Sequence, residues 1–502
     1  MPKLKNLAAQ LPEVFLSDTT STLAVTRLRK AGQLRKLAPR LYTTNLRDDP
    51  AAIVRRHAWQ IVAMLAPGTV ASFRSALEMR PTEDGSLFVS GGYRRTLELP
   101  GLVIRQQKGP GPLPGDRPFL DGLHIASLAR ALLENLMPAR QGKGARRSVG
   151  PEGVEAHLAK IAAGRPEKLN EIRDAAREIA PALEAEETFA ELDRLISGIY
   201  GSKPAPLATP LARAIAAGEG YDARRVECFT KLLAELNAAV FQNRPDPVEP
   251  GAPGPGFYNL AFFDAYFSNY IEGTQFPVDE AIDIVFNNHI PERRPADAHD
   301  VLGTYQVVGR LEDMIRVPES FEAFEELLRK RHRTILAGRP ERRPGEYKLQ
   351  NNQVGGRTFV EPQLVRGTLK QGYDLYRALE DPMARALIMK FIVAEVHPFE
   401  DGNGRTARAM MNAELIAAGQ RRIIIPSVYR NEYLGGLRRL SNYQEGAAYI
   451  RVMDHAQLFC CRIDFVNLAA AEASLRACHA FEDPADEVKL VLPPASAAAT
   501  TL

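Results

Sequence analysis

The chain has 502 residues, two to four times the usual span of one hydrophobic core, so length alone predicts two to four domains. Apolar residues at 45% and charged residues at 25% exclude wholesale disorder, collagen-like fibres and small disulfide scaffolds. Sixty-four basic against sixty-one acidic residues leave a net charge of +3, which neither requires nor excludes a nucleic-acid partner for the whole molecule.

The N-terminal stretch MPKLKNLAAQLPEVFLSD is broken by polar residues before a long apolar region develops, and no uninterrupted apolar run of about 18 residues occurs anywhere. The expectation is a cytoplasmic protein with no membrane partner. Four cysteines, Cys228, Cys460, Cys461 and Cys478, are too few and too awkwardly spaced for a disulfide framework or a zinc site, and read as buried thiols in a reducing compartment.

Residues 1–56 carry eleven basic groups against four acids. Within them, SDTTSTLAVTRLRKAG predicts a helix with Ser or Thr caps, apolar Leu23, Val25 and Leu28, and Gly32 as its stop. QLRKLAPRLYTT predicts two short strands turning at Pro39-Arg40. A basic helix followed by a small hairpin is the pattern of a winged helix-turn-helix. FLSDTTSTLAVTRLRKAGQLRKLAPRLYTT, with the mixed segment reaching LHIASLARALLENL, is similar to the N-terminal module of AbiEi-type antitoxins. That resemblance implies duplex DNA as a partner for the helix around Arg27, Arg29 and Lys30. A basic solvated face on a small domain is the alternative.

Farther on, GPGPLPGDRP (109–118) and RQGKGARRSVGPEG (140–153) read as loops. VEAHLAKIAAG, KLNEIRDAAREIA and FTKLLAELNAAVF repeat apolar residues every three or four positions and predict amphipathic helices. The Pro- and Gly-rich PDPVEPGAPGPG (245–256) predicts an extended linker, with a new domain starting near Phe257. The closing LPPASAAATTL lacks bulky apolar residues and predicts a mobile tail.

RALIMKFIVAEV (385–396) predicts a buried helix and RTARAMMNAELIAAG (405–419) an amphipathic one ended by Gly419. HPFEDGNG (397–404) between them cannot be helical throughout, so backbone N–H groups are exposed at the start of the second helix, a ready anion site. Arg405 and Arg408, three apart, add two charge-assisted donors on one face, which suits phosphates. Asp401 brings a hard oxygen ligand for Mg2+ shared with a polyphosphate, and His397 a proton acceptor near neutral pH.

HPFEDGNGRTAR resembles the Fic motif, H-P-F-x-[D/E]-G-N-G-R-x-x-R, at every defined position. The resemblance implies transfer of AMP from ATP to a Ser, Thr or Tyr hydroxyl of a target protein. It implies His397 as the base, Phe399 as the anchor of the loop, and Asp401 as the Mg2+ ligand. Gly402, Asn403 and Gly404 become the anion hole, Arg405 assists the leaving phosphates, and Arg408 grips the γ-phosphate. GEYKLQNNQVGGRTFVEP (345–362), broken at Gly355-Gly356, sits where Fic domains carry a target-aligning flap; an ordinary surface hairpin is the alternative. Tyr433 corresponds to an aromatic near the adenine pocket, with helix packing as the alternative. DAYFSNYIEGTQF (264–276) resembles the Fic inhibitory motif [S/T]-x-x-x-E-[G/N] through Ser268, Glu272 and Gly273. There Glu272 would pair with Arg408 in the place of the γ-phosphate.

The expected fold is mainly α. A winged-helix module (1–125) and a helical connecting region (126–245) precede a Fic-type helical domain (257–465) with a β-hairpin flap, followed by a C-terminal helix and tail (466–502). Within the Fic domain, the inhibitory helix is expected near 264–273, the flap near 350–362 and the catalytic loop at 397–408. The expected function is an autoinhibited protein adenylyltransferase using ATP and Mg2+. The alternatives are a DNA-binding autoregulator with a nucleotide-sensing Fic domain, and a Fic enzyme that transfers UMP, phosphate or phosphocholine or removes AMP. Target, operator and oligomeric state stay open, a second copy of the chain being one candidate partner.

Overall fold

The computed structural model describes residues 11–138, 145–245, 253–354, 357–486 and 488–494. The chain is mainly helical and divides into two compact units, Met1–Gly218 and Glu219–Leu502. No helix among the described residues is long and apolar enough to cross a membrane.

The first unit opens with β1 (Val14–Leu16), α1 (Thr22–Lys30), β2 (Arg35–Ala38) and β3 (Leu41–Thr43), whose strands form an antiparallel sheet in the order β1-β3-β2. Val25 and Leu28 of α1 pack with Phe15 and Leu34, but Leu23, expected on the same apolar face, is 75% exposed. Arg40 makes the β2–β3 turn at φ +66°. No helix lies between residue 11 and α1, so an additional helix of a helix-turn-helix is not seen among the described residues there.

Helices α2 (Pro50–Arg56) and α3 (Ala58–Leu65) lead to a second sheet, which α4 (Arg74–Glu78) interrupts in sequence. Its strands β4 (Thr69–Ala71), β5 (Ser86–Gly91), β6 (Arg95–Leu99), β7 (Leu102–Lys108), β8 (Arg117–Leu120) and β9 (Leu123–Ile125) lie in the order β6-β7-β5-β4-β9-β8. The pairs β5/β7 and β4/β9 are parallel. Ile53, Ile61 and Val62 pack on Leu87, Val89 and Ile104 to make the core of this layer. Arg117 and Pro118, expected in a loop, instead begin β8, an edge strand where proline's missing N–H is tolerated.

The rest of the unit is helical: α5 (Leu128–Leu136), α6 (Gly150–Gly164), α7 (Lys168–Ile179), α8 (Glu186–Ile199) and α9 (Pro210–Ala216). Gly150, Pro151, Glu152 and Gly153, also expected in a loop, form the first turn of α6, where a proline needs no hydrogen-bond acceptor.

The second unit contains α10 (Ala223–Ala238), α11 (Pro255–Ile271), α12 (Val278–Phe286), α13 (Pro295–Val308), α14 (Leu311–Met314) and α15 (Phe321–Ile335). A two-stranded hairpin follows, β10 (Gln353–Val354) paired antiparallel with β11 (Arg357–Thr358). Then come α16 (Val365–Tyr376), α17 (Pro382–Val396), α18 (Asn403–Ala417), α19 (Arg430–Tyr443), α20 (Ala447–Cys461) and α21 (Leu468–Ala477). Helix α17 is buried along most of its length, as expected; α18, expected to be amphipathic, is buried on nearly every side. It touches α17 on one side and α15, α13 and α11 on others, which leaves no face for solvent. Cys228, Cys460 and Cys478 are buried and Cys461 is half-buried. Leu490 and Leu492 pack on the core that includes α11, α12 and α21; Leu492 is the first residue of the stretch expected to be a mobile tail, and its apolar side chain is instead held there. Residues 246–252 of the expected linker, Gly355 and Gly356 of the flap, and the tail from 495 lie outside the described residues.

Candidate active site

The turn between α17 and α18 is built by backbone geometry that few residues adopt. His397 closes α17 in the left-handed region at φ +54°, a conformation that histidine enters more readily than most side chains and that is common at functional sites. The chain then dives inward, so that Phe399 is fully buried and stacks on His332 of α15 at 3.7 Å and 6°. Asn403 closes the loop from the other end: its Oδ1 accepts from the Phe399 N–H at 2.9 Å and its Nδ2 donates to the Phe399 carbonyl at 2.9 Å. Gly402 also takes a positive φ, +70°, and a Cβ there would lie 2.3 Å from Leu336 Cδ2, so only glycine fits.

His332 holds this loop from outside. Its Nδ1 accepts from the Gly345 N–H at 2.8 Å, which leaves Nε2 carrying the proton that it donates to the Asp401 carbonyl at 2.9 Å. Burial pushes its pKa down to about 4, so the imidazole is neutral over the physiological range.

His397 presents its ring beside the hairpin, stacked on Phe359 at 3.8 Å. Nδ1 lies 3.2 Å from the Ala394 carbonyl. A carbonyl only accepts, so the proton of the neutral ring sits on Nδ1 and the lone pair on Nε2. The hairpin is anchored to the loop by Asn352, whose Nδ2 donates to the Phe399 carbonyl at 2.7 Å.

The N-terminus of α18 points its unpaired amides at the space over Gly404. Glu272, which caps the C-terminus of α11 before Gly273 at φ +93°, occupies that space. A Cβ added to Gly404 would come 2.1 Å from Glu272 Oε1. The same oxygen accepts from Arg408 Nη2 at 2.7 Å. Ser268 holds Arg408 as well, its Oγ accepting from Nε at 2.7 Å and its carbonyl from Nη2 at 2.8 Å. Tyr433, buried on α19, lies near Arg408 and, after Glu272, favours its charge. Burial opposes the charge on Glu272, but Arg408, then Arg405 and His397, outweigh it and hold the carboxyl below its usual range. Its side chain still keeps 34% of its surface in solvent, whereas that of Arg408 keeps 4%.

Arg405 turns the other way. It ion-pairs with Asp300 of α13 at 2.8 Å and donates to Asn269 Oδ1 at 3.3 Å, with the Asp401 carboxylate farther off at 3.7 Å. Asp300 is shared with Arg339 at 2.8 Å. Asp401 Oδ1 accepts from the Gly402 N–H at 2.7 Å, and its side chain is 43% exposed. No group of three or more His, Cys, Asp or Glu side chains able to hold a metal occurs among the described residues. One half-exposed carboxylate beside an anion site fits Mg2+ in one way, as an ion held mainly by polyphosphate oxygens and water.

His397, Asp401, Gly402, Asn403, Gly404 and Arg408 thus meet Ser268 and Glu272 at one point, and Tyr433 lies beside them. His332, Asp300, Asn269, Phe359 and Asn352 complete the arrangement without a signal in the sequence, since each is a common residue type acting across a long separation.

Residues 322–415 match the Fic/DOC family. The matched segment runs from α15 through most of α18 and so contains the whole loop. Protein adenylyltransferase fic-1 of Caenorhabditis elegans is 27% identical over 202 residues, 39% of this chain and 40% of that protein. Protein adenylyltransferase Fic of Drosophila yakuba is 31% identical over 125 residues, 24% of this chain and 25% of that protein. The chain therefore spans less than half the length of these relatives. Among solved structures, a Fic domain containing signaling protein from Bacteroides thetaiotaomicron is similar at 20% identity and a TM-score of 0.37, covering 50% of this chain and 98% of that one.

Proposed function

We propose that the second unit is a protein adenylyltransferase held in check by its own Glu272. The observation that carries this reading is the seat of Glu272: a carboxylate lies over Gly404, at the N-terminus of α18, and on Arg408. An anion site completed by an arginine and filled by an internal anion fits a polyphosphate once that anion leaves. The named relatives are adenylyltransferases, which favours ATP as the polyphosphate and AMP as the transferred group.

In this mechanism the target hydroxyl lies against His397 Nε2, which takes its proton as the oxygen attacks the α-phosphorus. The new phosphorus–oxygen bond forms as the bond to the β-phosphate oxygen breaks, and pyrophosphate leaves. The amides of Gly404 and its neighbours stabilise the charge on the phosphates, and Arg408 holds the terminal one. When bound through Asp401, Mg2+ supplies charge neutralisation on the polyphosphate. Asn403 and His332 keep the loop in its left-handed turns, so the donors need no rearrangement at the moment of reaction. Hairpin β10–β11 suits a target segment laid alongside it.

Full-length protein incubated with ATP labelled on the α-phosphate, or in parallel on the γ-phosphate, tests the reading. Label retained on protein only from the α-position supports AMP transfer; retention from the γ-position favours phosphate transfer, and no retention with Glu272→Gly overturns both.

The first unit supports a second reading, DNA binding. Arg27, Arg29 and Lys30 are exposed on the last turns of α1, which has no acidic residue in its first turn. Duplex binding that weakens steeply with salt, and more weakly still in Arg27→Ala/Arg29→Ala/Lys30→Ala, is expected. No binding at low salt rejects it.

A further inference from the structure

Lys390 lies about two turns before His397 on α17 and plays no part in the mechanism above. It is fully buried, and its Nζ has no hydrogen-bond partner. The amine sits over the Tyr433 ring, 4.3 Å from its centroid, and 5.3 Å from that of Tyr449. The same Tyr433 is coupled electrostatically to Arg408, so the Lys390 amine and the guanidinium that Glu272 occupies share one aromatic neighbour.

A lysine buried without a partner is an unfavourable choice where methionine or leucine would fill the same volume. It becomes useful where an anion arrives. We propose that Lys390 is a second phosphate-binding cation of this site, silent while Glu272 is paired with Arg408 and engaged when the terminal phosphates of a nucleotide take its place. This rests on the nucleotide reading above and adds a residue to it.

The charges around the amine set the condition. Arg408 approaches from α18, Glu272 from the end of α11, the phenols of Tyr433 and Tyr449 from α19 and α20, and Glu395 from α17 itself. Glu395 is already ion-paired with Arg225 at 2.7 Å and accepts from Ser441 at 2.7 Å. Burial, then the like charge of Arg408, hold the Lys390 amine well below the usual lysine range, with Glu272 opposing them. Exchanging the single negative charge of Glu272 for a triphosphate raises the local negative potential. The amine then takes a proton from solvent and adds a positive charge that attracts the terminal phosphates. AMP, lacking the terminal phosphates, does not bring this about.

The test is isothermal titration of full-length Glu272→Gly with Mg-ATP and with AMP at pH 8, where ATP itself is fully deprotonated. Two buffers of different ionisation enthalpy are used, and the titrations are repeated with Glu272→Gly/Lys390→Met. Expected are net proton uptake on ATP binding by Glu272→Gly, its loss in the double variant, about tenfold weaker ATP binding there, and unchanged AMP affinity. ATP binding without proton uptake in Glu272→Gly overturns the role of Lys390 alone, and needs no lysine variant to fold. Uptake that persists in a folded double variant overturns it as well. Failure of Glu272→Gly to bind either nucleotide overturns the nucleotide reading and this inference together.

Discussion

Removing the Glu272 carboxylate is the perturbation with the most direct consequence. Hydrogen bonds to charged groups contribute about 1.5–3 kcal/mol. A third of the Glu272 side chain faces solvent, which screens the pair and favours the lower end, about 1–2 kcal/mol or a factor of about 5–30. Glu272→Gly should therefore raise the initial rate of label transfer from α-labelled ATP by about 5- to 30-fold at subsaturating nucleotide. The guanidinium of Arg408 does not collapse when Glu272 leaves, because Ser268 Oγ and the Ser268 carbonyl still hold it. The gain should accordingly vanish in Glu272→Gly/Arg408→Ala, which removes the group that profits from the freed space. An unchanged rate in folded Glu272→Gly refutes the inhibitory role and leaves Ser268 and Glu272 as the ordinary end of α11. A gain that survives loss of Arg408 refutes the assignment of Arg408 to the nucleotide.

Three further outcomes follow from the same geometry. His397→Ala should abolish transfer while ATP binding by titration persists, since it removes the lone pair on Nε2 and leaves the amides of α18 in place; equal transfer by wild type and variant rejects His397 as the base. Asp401→Ala should weaken the dependence of transfer on Mg2+ and lower the rate at saturating ATP, and an unaltered Mg2+ titration rejects Asp401 as a ligand. His332 has a pKa of about 4 in the folded chain against an ordinary 6.5. The unfolded chain therefore binds the extra proton first. The contribution is complete above about pH 6.5 and is lost as the pH falls toward 4, amounting to ~3 kcal/mol across that window. Melting curves between pH 4 and 7 should show a shallower acid loss in His332→Phe, which keeps the ring over Phe399 and cannot titrate; parallel curves reject His332 as the acid-sensitive tether.

How much of this was legible in the sequence depended on distance along the chain. The loop 397–408 declared its chemistry because its proton acceptor, carboxylate, glycines and arginines fall within a dozen positions, and the turn they make is fixed by local backbone needs such as the positive φ of Gly402. Serine and glutamate four apart before a glycine were legible for the same reason, as one turn of helix running into a stop. The six-stranded sheet of the first unit was not. Its strands are three to seven residues long, and β5, buried at every position, lacks the alternation that marks a half-exposed strand. Leu23 was misplaced because a nine-residue helix packed on a small sheet buries only a narrow stripe.

The groups that position the site followed a different logic. His332 reaches the loop across 69 residues and Arg408 reaches Ser268 across 140. Neither separation leaves a periodic trace, because the partners are brought together only when α11, α13 and α15 pack around α18. That packing explains why α18 is buried on nearly every side although its sequence, with Arg405, Arg408, Asn412 and Glu414, reads as amphipathic. Its polar residues turn inward to partners on other helices: Arg405 to Asp300, Arg408 to Ser268 and Glu272, Asn412 to Asp264 at 2.9 Å, and Glu414 to Tyr376 at 2.8 Å. Buried polar groups are tolerated when each has a partner of its own, and a helix so tethered has little freedom to shift. Glu272 is different, since it alone in this set sits at a helix end with a third of its side chain in solvent. On the proposed reading, a change of the Glu272 rotamer would be enough to free Arg408 and the α18 amides for a phosphate, since Arg405, Asn412 and Glu414 keep their own partners and hold the helix in place.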